Sequence, residues 1–305
     1  MSYIEEERLK AINKREDIFN DAGNGLFSGK ERDFVLSNSI LNLWDGVRYD
    51  AINYFDENKI SWWRGKTKEP TGHLLSSQIA CINHLYYLRQ RKDIATIVLQ
   101  GLDSDIVEAQ IIDSGFVEFE FIGEMPYLKE KAFNRGANCT SIDAVMIGLR
   151  NDGIRKMFFI EWKYTETYPT KNEYIPARSK VYDELIKADE SPFTNIPSIE
   201  SLYYEPFYQL MRQTLLAEEC LKNSDHNITA YSHVHVIPKK NLKLKNNITS
   251  PDLKNYGDDI HEVWKKILKD NTKYIVVSPE NLLQPALKVD DSKSFINYLK
   301  VRYWE

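Results

Sequence analysis

The sequence has few cysteines, no long apolar run and no excess of positive charge. Its three cysteines, Cys81, Cys139 and Cys220, are far apart and include no Cys-x-x-Cys pair. This pattern is typical of reduced thiols in a cytoplasmic protein rather than of a disulfide framework. No stretch approaches the roughly 20 apolar residues of a membrane span, and the polar N-terminus MSYIEEERLK lacks the apolar core of a secretory signal. We therefore expect a cytoplasmic protein that makes no use of a membrane.

The absence of a basic excess limits the functions that the chain can perform. The sequence has 45 acidic and 40 basic residues, and its formal net charge is −5. Proteins that coat nucleic acid non-specifically need a surplus of Lys and Arg, because these side chains contact phosphate. The balance therefore argues against a passive DNA-coating role. The balance is still compatible with a nuclease. Acidic metal ligands lower the net charge of such an enzyme, while a local basic groove can contact phosphate.

What the sequence contains is ordinary for a globular protein with a sizeable core. It has 305 residues, of which 42% are hydrophobic and 12% aromatic. The periodicity of apolar residues predicts helices near 3–20, 42–55, 73–90, 176–188, 205–222, 258–269 and 291–300. It predicts strands at 95–99, 115–122, 141–149, 156–164, 229–238 and 273–277. This mixture indicates an α/β (α+β) protein with helices flanking a central, mostly antiparallel or mixed sheet.

One predicted hairpin carries the most chemistry. Two apolar runs flank residues 151–153 (Asn-Asp-Gly), where the glycine suits the left-handed conformation of a three-residue loop. The register set by that loop places Asp143 opposite Glu161. Because side chains alternate along a strand, Glu161 and Lys163 share one face. A two-residue loop would shift the pairing by one and move Asp143 to the face of Trp162.

Two carboxylates beside one ammonium suit the hydrolysis of phosphodiesters. Mg²⁺ prefers carboxylate oxygens, and one or two carboxylates with phosphate oxygens and water form its usual shell. The metal neutralises charge on the phosphate and activates water, and a lysine can orient that water. The other interpretation is a solvated strand face with a weak Glu–Lys ion pair. The run 157–160 disfavours it, because a strand that is apolar on both faces is buried, and charges at its end are then unusual.

At these residues the sequence resembles the restriction-endonuclease-like superfamily, which is named for its PD-(D/E)xK motif. The segment Ser141-Ile142-Asp143 stands in the place of the "PD" element, and Glu161-Trp162-Lys163 matches (D/E)xK. Four blocks resemble a bacterial group within that superfamily, namely 59–83, 136–144, 158–166 and 204–218. In this order the blocks are far more specific than the short motif alone, and they span most of the chain from about residue 35 onward.

The resemblance implies a restriction-endonuclease-like core, with a central four- or five-stranded mixed sheet flanked by helices. It implies that Asp143 and Glu161 bind Mg²⁺, for which Mn²⁺ could substitute, and that the backbone carbonyl of Trp162 is a further ligand. It also implies that Lys163 is catalytic and that DNA is the substrate. We expect residues 1–70 to form a helical elaboration packed on a nuclease-like domain at 71–305, together one structural unit. A homodimer is left open.

The sequence departs from the pattern of the superfamily in two places. No proline precedes Asp143, a variation that many members tolerate. The helix upstream of the hairpin offers no evident glutamate, although the superfamily often supplies another metal ligand there. Gln78 occupies a suitable place, and Glu118 or Glu120 could also contribute a third ligand or support. The number of metal ions is therefore left open.

The predicted helix at 205–222 resembles the glutamine-containing helix that follows the active hairpin in many such nucleases. Gln209, Arg212 and Gln213 are spaced so that Gln209 shares a face with each of the other two. These three residues are candidates for contact with nucleic acid or for support of the catalytic strand. An ordinary amphipathic helix, with its apolar residues in the core, fits the same pattern equally well.

Two further features have both a functional and a structural interpretation. Trp62 and Trp63, followed by three basic residues, could stack bases and contact phosphate, although packing against the core is the interpretation that we favour. His233 and His235 have the spacing of some zinc sites, but a zinc site needs a third or fourth ligand, and no Cys or His is near in sequence. We therefore do not assign a metal to them.

Our first hypothesis from the sequence is that the protein is a Mg²⁺-dependent deoxyribonuclease. The second is a module of the same fold that binds nucleic acid or protein with little or no cleavage; the intact Asp143, Glu161 and Lys163 disfavour it. A glycosidase also pairs two acids, but its chemistry gives Lys163 no part, so we rank it last.

Overall fold

The structure is a computed structural model that describes residues 1–66, 68–136 and 139–305. Its strands are β1 Gly25–Phe27, β2 Lys30–Arg32, β3 Ile106–Gln110, β4 Glu118–Phe121, β5 Ile142–Arg150, β6 Arg155–Trp162, β7 Ala230–Val236 and β8 Tyr274–Val277. Its α-helices are α1 Tyr3–Phe19, α2 Arg48–Glu57, α3 Ser77–Arg89, α4 Lys92–Leu102, α5 Pro176–Lys187, α6 Phe207–Lys222, α7 Leu242–Lys245, α8 Ile260–Ile267, α9 Pro279–Leu283 and α10 Lys293–Leu299. Shorter helical turns connect several of these elements.

Strands β3 to β8 form one mixed sheet, and β1 and β2 form a separate small hairpin. The order across the large sheet is β3-β5-β6-β7-β8, and β4 also pairs with β5. Strand β5 runs antiparallel to β3, β4 and β6, whereas β6, β7 and β8 are mutually parallel. The predicted fold class, a mixed central sheet flanked by helices, is confirmed.

The hairpin between β5 and β6 has the predicted three-residue loop. The Arg150 N–H donates to the Ile154 carbonyl over 2.9 Å, and the Gly153 N–H donates to the Arg150 carbonyl over 3.0 Å. Gly153 has a φ of 84°, which glycine adopts without steric cost. Farther along the hairpin, Ala144 pairs with Ile160. The β5–β6 register is therefore the one that the sequence predicted and on which the predicted site depends.

Strands β5 and β6 are buried on both faces, because helices cover the sheet on each side. Phe158 and Ile160 belong to an apolar core that includes α3 and α4. Met157 and Phe159 belong to a second core that includes α6 and α8. All four side chains are fully shielded from solvent. The charged residues at the end of β6 consequently stand at the edge of a dry interior.

The predicted strand at 95–99 is wrong, because these residues lie within α4. The buried residues of this helix are Ile94, Ala95, Val98 and Leu99, at the one- and four-residue steps of a helical stripe. A short run rich in β-branched residues cannot be distinguished from a strand by its composition alone. The strand of this region is β3, which follows the helix and was not predicted.

Other boundaries shift by a few residues. The predicted helix at 42–55 divides into a 3₁₀ turn at Ser39–Asn42 and helix α2. Helix α1 ends at Phe19, and the next residue, Asn20, caps it with a φ of 49° in the left-handed region. The block 136–144 includes residues 137 and 138, which lie outside the described residues.

The N-terminal helix packs against the C-terminal segment. The Lys10 ammonium donates to the Tyr303 carbonyl over 2.8 Å, and Lys14 donates to the Val301 carbonyl over 2.9 Å. The Tyr164 hydroxyl, just beyond β6, donates to Glu7 over 2.7 Å.

The division of the chain at residue 70 stays a prediction. In the part of the chain that the structure describes, no helix is both long and apolar enough to span a membrane.

Because helices seal both faces of the sheet, truncation of a central side chain on either face should destabilise the fold strongly. We expect Phe158→Ala and Phe159→Ala each to lower the free energy of unfolding by about 3–5 kcal/mol. The matched change Val107→Ala, at a β3 residue that is 50% exposed, should change it by less than about 0.5 kcal/mol. Equilibrium denaturation with guanidinium measures all three. A small effect at Phe159 alone would mean that the α6 side of the sheet is open.

Candidate active site

The candidate site begins where β5 and β6 converge. One step beyond the Ala144–Ile160 pair, the register sets Asp143 opposite Glu161. Glu161 is also paired with His235 of β7, and its side chain is only 2% exposed. The hairpin and the parallel strand beside it therefore place two acids side by side, one of them fully buried.

Glu161 and Lys163 form a buried ion pair. The Lys163 Nζ lies 2.6 Å from Glu161 Oε1, and the two side chains are 5% and 2% exposed. The same ammonium donates to Gln209 Oε1 over 2.5 Å. Burial alone lowers the pKa of Lys163, but the Glu161 carboxylate outweighs it and the net pKa is raised well above its usual value. Lys163 is therefore a fixed cation at neutral pH.

Helix α6 supplies the amides that hold this ion pair. Gln213 Nε2 donates to Glu161 Oε2 and, over 3.1 Å, to the Ser141 carbonyl. Gln209, one helical turn earlier, accepts from Lys163. The structure thus brings two of the three predicted α6 residues onto the hairpin, where they orient Glu161 and Lys163.

Asp143 is held by the backbone of the opposite strand. Its Oδ2 accepts a hydrogen bond of 2.7 Å from the Trp162 N–H. The Trp162 ring points to the other face, where its centroid lies 4.6 Å from that of His84. Burial of the carboxyl group, followed by the nearby charges of Glu161 and Glu120, raises the pKa of Asp143 well above its ordinary value. Its ionised form therefore has a high energy in the metal-free protein.

Glu120 brings a third carboxylate to the same region. It is 7% exposed, and its oxygens accept from Gln78 Nε2 over 2.8 Å and from Ser141 Oγ over 3.0 Å. Burial raises the pKa of Glu120, with a further contribution from the charge of Glu161. This acid comes from β4, not from the upstream helix where the superfamily often places one.

The backbone at Glu120 is distorted in a way that reorients the strand end. Its φ is 51°, in the left-handed region that side chains other than glycine rarely adopt. Phe119 and Ala144 pack in the core beside α3, whereas Phe121 and Ile142 pack in the core beside α6. The paired strands therefore change faces at Glu120 and at Asp143 opposite it. Unusual backbone of this kind clusters at functional sites.

Gln78 supports the site through hydrogen bonds, and its side-chain amide is not free to bind a metal ion. Its Nε2 donates to Glu120 and, over 3.2 Å, to the Ser61 carbonyl, while its Oε1 accepts from the Trp63 N–H over 2.8 Å. Both ends of the amide are thus occupied. Ser141, the partner of Glu120 on the hairpin side, lies in the segment that stands in the place of the "PD" element, but no role was predicted for it because a serine before a strand carries no distinctive signal.

Arg212 lies beside the site rather than in it. Its guanidinium donates to Thr140 Oγ1 over 3.2 Å and lies 4.6 Å from the centre of the Tyr208 ring. It lines a cleft of about 520 Å³ together with Arg178 and Tyr182. Because Thr140 directly precedes Ser141, the cleft opens next to the candidate catalytic residues.

The two histidines of β7 belong to a buried polar cluster. His235 Nδ1 lies 3.0 Å and His261 Nδ1 lies 2.9 Å from the Tyr274 hydroxyl. Burial lowers the pKa of His233 to about 3 and that of His261 to about 4, so these rings are neutral. Among the described residues, no group of three or more His, Cys, Asp and Glu side chains is arranged to hold a metal ion. The structure therefore offers no support for a zinc site here.

The charges of the site fit a divalent cation held by few protein ligands. Asp143 lies near the carboxylates of Glu161 and Glu120, and among the described residues only Glu161 of these three acids forms a salt bridge, with Lys163, so negative charge is in excess. One or two carboxylates with water and substrate oxygens suffice for Mg²⁺. Asp143 and Glu161, with the carbonyl of Trp162 between Glu161 and Lys163, would provide such a shell. Glu120 is already engaged by Gln78 and Ser141.

The crowding of these carboxylates predicts that Asp143 limits stability. A carboxyl group whose pKa is raised by folding destabilises the folded state increasingly as the pH rises from its unfolded towards its folded pKa. In EDTA at neutral pH we expect Asp143→Asn, which keeps an acceptor for the Trp162 N–H, to raise Tm by about 2 °C or more, the shift that roughly 1 kcal/mol produces in a large domain. Differential scanning calorimetry across pH measures this shift.

The gain from Asp143→Asn should shrink below pH 4, where the unfolded aspartate also binds a proton. The exposed residue Asp252 provides the matched control, and Asp252→Asn should leave Tm unchanged at every pH. A loss of stability in Asp143→Asn at neutral pH would show that the three acids do not repel one another.

Comparison with known proteins identifies the family. No curated protein and no solved structure matches the chain significantly. The model of one family, described as a restriction endonuclease associating with ARP, matches residues 12–304. This match covers nearly the whole sequence and agrees with the mixed sheet and the hairpin described above. The chain belongs to this restriction-endonuclease family.

Proposed function

We propose that this protein is a Mg²⁺-dependent deoxyribonuclease that hydrolyses phosphodiester bonds at Asp143, Glu161 and Lys163. The observation that carries the proposal is the arrangement of two acids on adjacent strands, Asp143 partly buried and Glu161 buried, with the Lys163 ammonium 2.6 Å from Glu161. Membership of a restriction-endonuclease family supports a nuclease-like role, with DNA as the substrate class. A glycosidase would have no use for the fixed cation.

Each residue of the site would have a defined task. Asp143, Glu161 and the Trp162 carbonyl would hold Mg²⁺, which when bound neutralises phosphate charge and makes a bound water more nucleophilic. The Lys163 ammonium, fixed by Glu161 and Gln209, would stabilise the negative charge that develops on the scissile phosphate. Because the ammonium is already oriented, this stabilisation needs no rearrangement during the reaction.

The α6 residues would divide their work between the site and the substrate backbone. Gln213 fixes the orientation of Glu161, and Gln209 fixes that of Lys163. Arg212 lines the neighbouring cleft with Arg178, and both guanidinium groups lie over the Tyr208 ring. We assign Arg212 a contact with a phosphate next to the one that is cleaved, since a guanidinium matches phosphate geometry.

The wider setting is part of the same proposal. The description of the family names an association with ARP, and we propose that this chain acts together with such a component in the cytoplasm. A homodimer remains a prediction from the sequence. The alternative function is a DNA- or protein-binding module of the same fold that does not cleave.

Metal binding can be tested without any measurement of cleavage. Mg²⁺ at about 100 times its Kd should stabilise the folded protein by about 2.7 kcal/mol, because the ion binds the folded state. Asp143→Ala should remove this difference between Mg²⁺ and EDTA, whereas the exposed control Asp252→Ala should retain it. Thermal unfolding and titration calorimetry with Mg²⁺ and Mn²⁺ measure the effect. Equal stabilisation of both variants would place the metal elsewhere.

Cleavage tests the role of Lys163. We expect Lys163→Met to lower the rate of DNA hydrolysis in Mg²⁺ by about 10²- to 10³-fold, the usual loss when one preorganised charge-stabilising group is removed. Lys156 is the matched control, since it lies on β6, the strand that Lys163 directly follows, and pairs with Asp103 at 2.9 Å. Lys156→Met should cleave at the normal rate.

The cleavage assay should use linear, circular and single-stranded DNA, with Mg²⁺ and with Mn²⁺. Full activity in both Asp143→Ala and Lys163→Met would reject the assigned site. Tight DNA binding by the unaltered protein with no hydrolysis under either metal would favour the binding module.

A further inference from the structure

The segment that follows α2 separates its two adjacent tryptophans. The Trp62 ring stacks on Phe55 with centroids 4.0 Å apart and is 7% exposed. The Trp63 ring is 45% exposed. A turn closed by a 3.2 Å bond from the Gly65 N–H to the Trp62 carbonyl, with Arg64 at a φ of 52°, directs the two rings apart. Trp62 therefore anchors the segment in the core, whereas the Trp63 side chain is exposed to solvent and accessible to a ligand.

Trp63 belongs to an aromatic surface built from three segments. Its ring centroid lies 6.1 Å from that of Phe27 on β1 and 5.7 Å from that of His73, and Phe27 and His73 are 4.7 Å apart. Burial, reinforced by the charge of Arg8, lowers the pKa of His73 to about 4. The histidine is therefore a neutral aromatic ring at neutral pH. We call Phe27, Trp63 and His73 the Trp63 platform.

Basic side chains lie around this platform. Phe27 pairs with Lys30 across the β1–β2 hairpin, and Lys30 and Arg32 lie on the same face of β2 because side chains alternate. Arg64 directly follows Trp63 and is exposed. Within the described residues, Lys30, Arg32 and Arg64 form no salt bridge. The platform thus combines flat rings with unneutralised cations, which is the combination that single-stranded nucleic acid requires.

A chain of hydrogen bonds joins the platform to the candidate catalytic acids. The Trp63 N–H donates to Gln78 Oε1 over 2.8 Å, and Gln78 Nε2 donates to Glu120 Oε1 over 2.8 Å. Glu120 lies on β4 at the position facing Asp143 of β5. One glutamine side chain therefore links the backbone of Trp63 to Glu120. A nucleotide on Trp63 would be close to a phosphate held at Asp143.

We propose that the Trp63 platform stacks an unpaired base beside the phosphodiester that is cut. The substrate class is then DNA with a single-stranded or unstacked segment at the cleavage point, rather than an unbroken duplex. The inference rests on the proposed function for the identity of the bond that is cut. A nucleobase is the occupant that these residues favour, because a protein partner would need neither the flat ring nor the adjoining cations so close to the acids.

Binding in EDTA, where no bond is hydrolysed, tests the platform directly. We would measure the affinity of labelled single-stranded DNA and of the blunt duplex of the same sequence by fluorescence anisotropy. Trp63→Ala should weaken single-strand binding about tenfold, equivalent to about 1.4 kcal/mol, and should leave duplex binding unchanged. Trp63→Phe keeps a ring and should retain most of the affinity. Trp63→Leu keeps apolar area without a ring and should resemble Trp63→Ala.

Two results would overturn the inference. One is single-strand affinity that is unchanged in Trp63→Ala. The other is a Trp63→Leu variant that binds as well as Trp63→Phe, since apolar contact rather than stacking would then explain the platform and a protein partner would be the better occupant. Unchanged thermal unfolding of the three variants verifies that they fold.

The same variants distinguish failure of the platform from failure of the proposed function. In Mg²⁺, the preference of cleavage for single-stranded over duplex DNA should fall in Trp63→Ala by the same factor as the affinity. If no metal supports hydrolysis but Trp63→Ala still weakens single-strand binding, the nuclease proposal fails and base stacking stands. If hydrolysis occurs with the same substrate preference in Trp63→Ala, the platform fails and the nuclease proposal stands.

Discussion

The arrangement of the site depends on one electrostatic imbalance among the described residues, namely three neighbouring carboxylates of which one is paired with an ammonium. Glu161 alone is neutralised within hydrogen-bonding distance, by Lys163. Among the described residues, Asp143 accepts only from a backbone N–H, and Glu120 accepts from an amide and a hydroxyl. A buried charge with incomplete compensation is costly, so the surrounding structure must hold these groups together against their repulsion. The two sealed cores on either side of the sheet provide that restraint.

The support comes from elements that are distant in sequence. Helix α6 orients the ion pair through Gln209 and Gln213, and helix α3 orients Glu120 through Gln78. The pairing of β5 with β6 determines the register that places Asp143 opposite Glu161. A site assembled this way is rigid because its charged groups are held by hydrogen bonds from two helices and from the backbone of a strand, and rigidity of charged groups is what electrostatic catalysis requires. The amides are therefore as much a part of the arrangement as the acids.

The hairpin could be predicted from the sequence because its determinants are local. An Asn-Asp-Gly loop between apolar runs fixes the register, and the register fixes which residues face one another. The position of Glu120 could not be predicted in the same way, because it depends on a left-handed residue within a strand and on a contact with α3. Helix α4 was mistaken for a strand because a short, β-branched apolar run satisfies both periodicities. The different environments of Trp62 and Trp63 depend on a turn whose shape sequence spacing does not reveal.

The left-handed backbone of Glu120 has a consequence for what can occupy that position. Glycine adopts a φ of 51° with less steric strain than any residue with a β-carbon. A sequence shaped only by the local backbone would therefore have glycine there. Glutamate in its place adds steric strain and buries a carboxyl group whose pKa is raised. Backbone strain and a buried carboxyl group therefore coincide at one residue, and exchange for glycine would relax the chain while it removes one of the three acids.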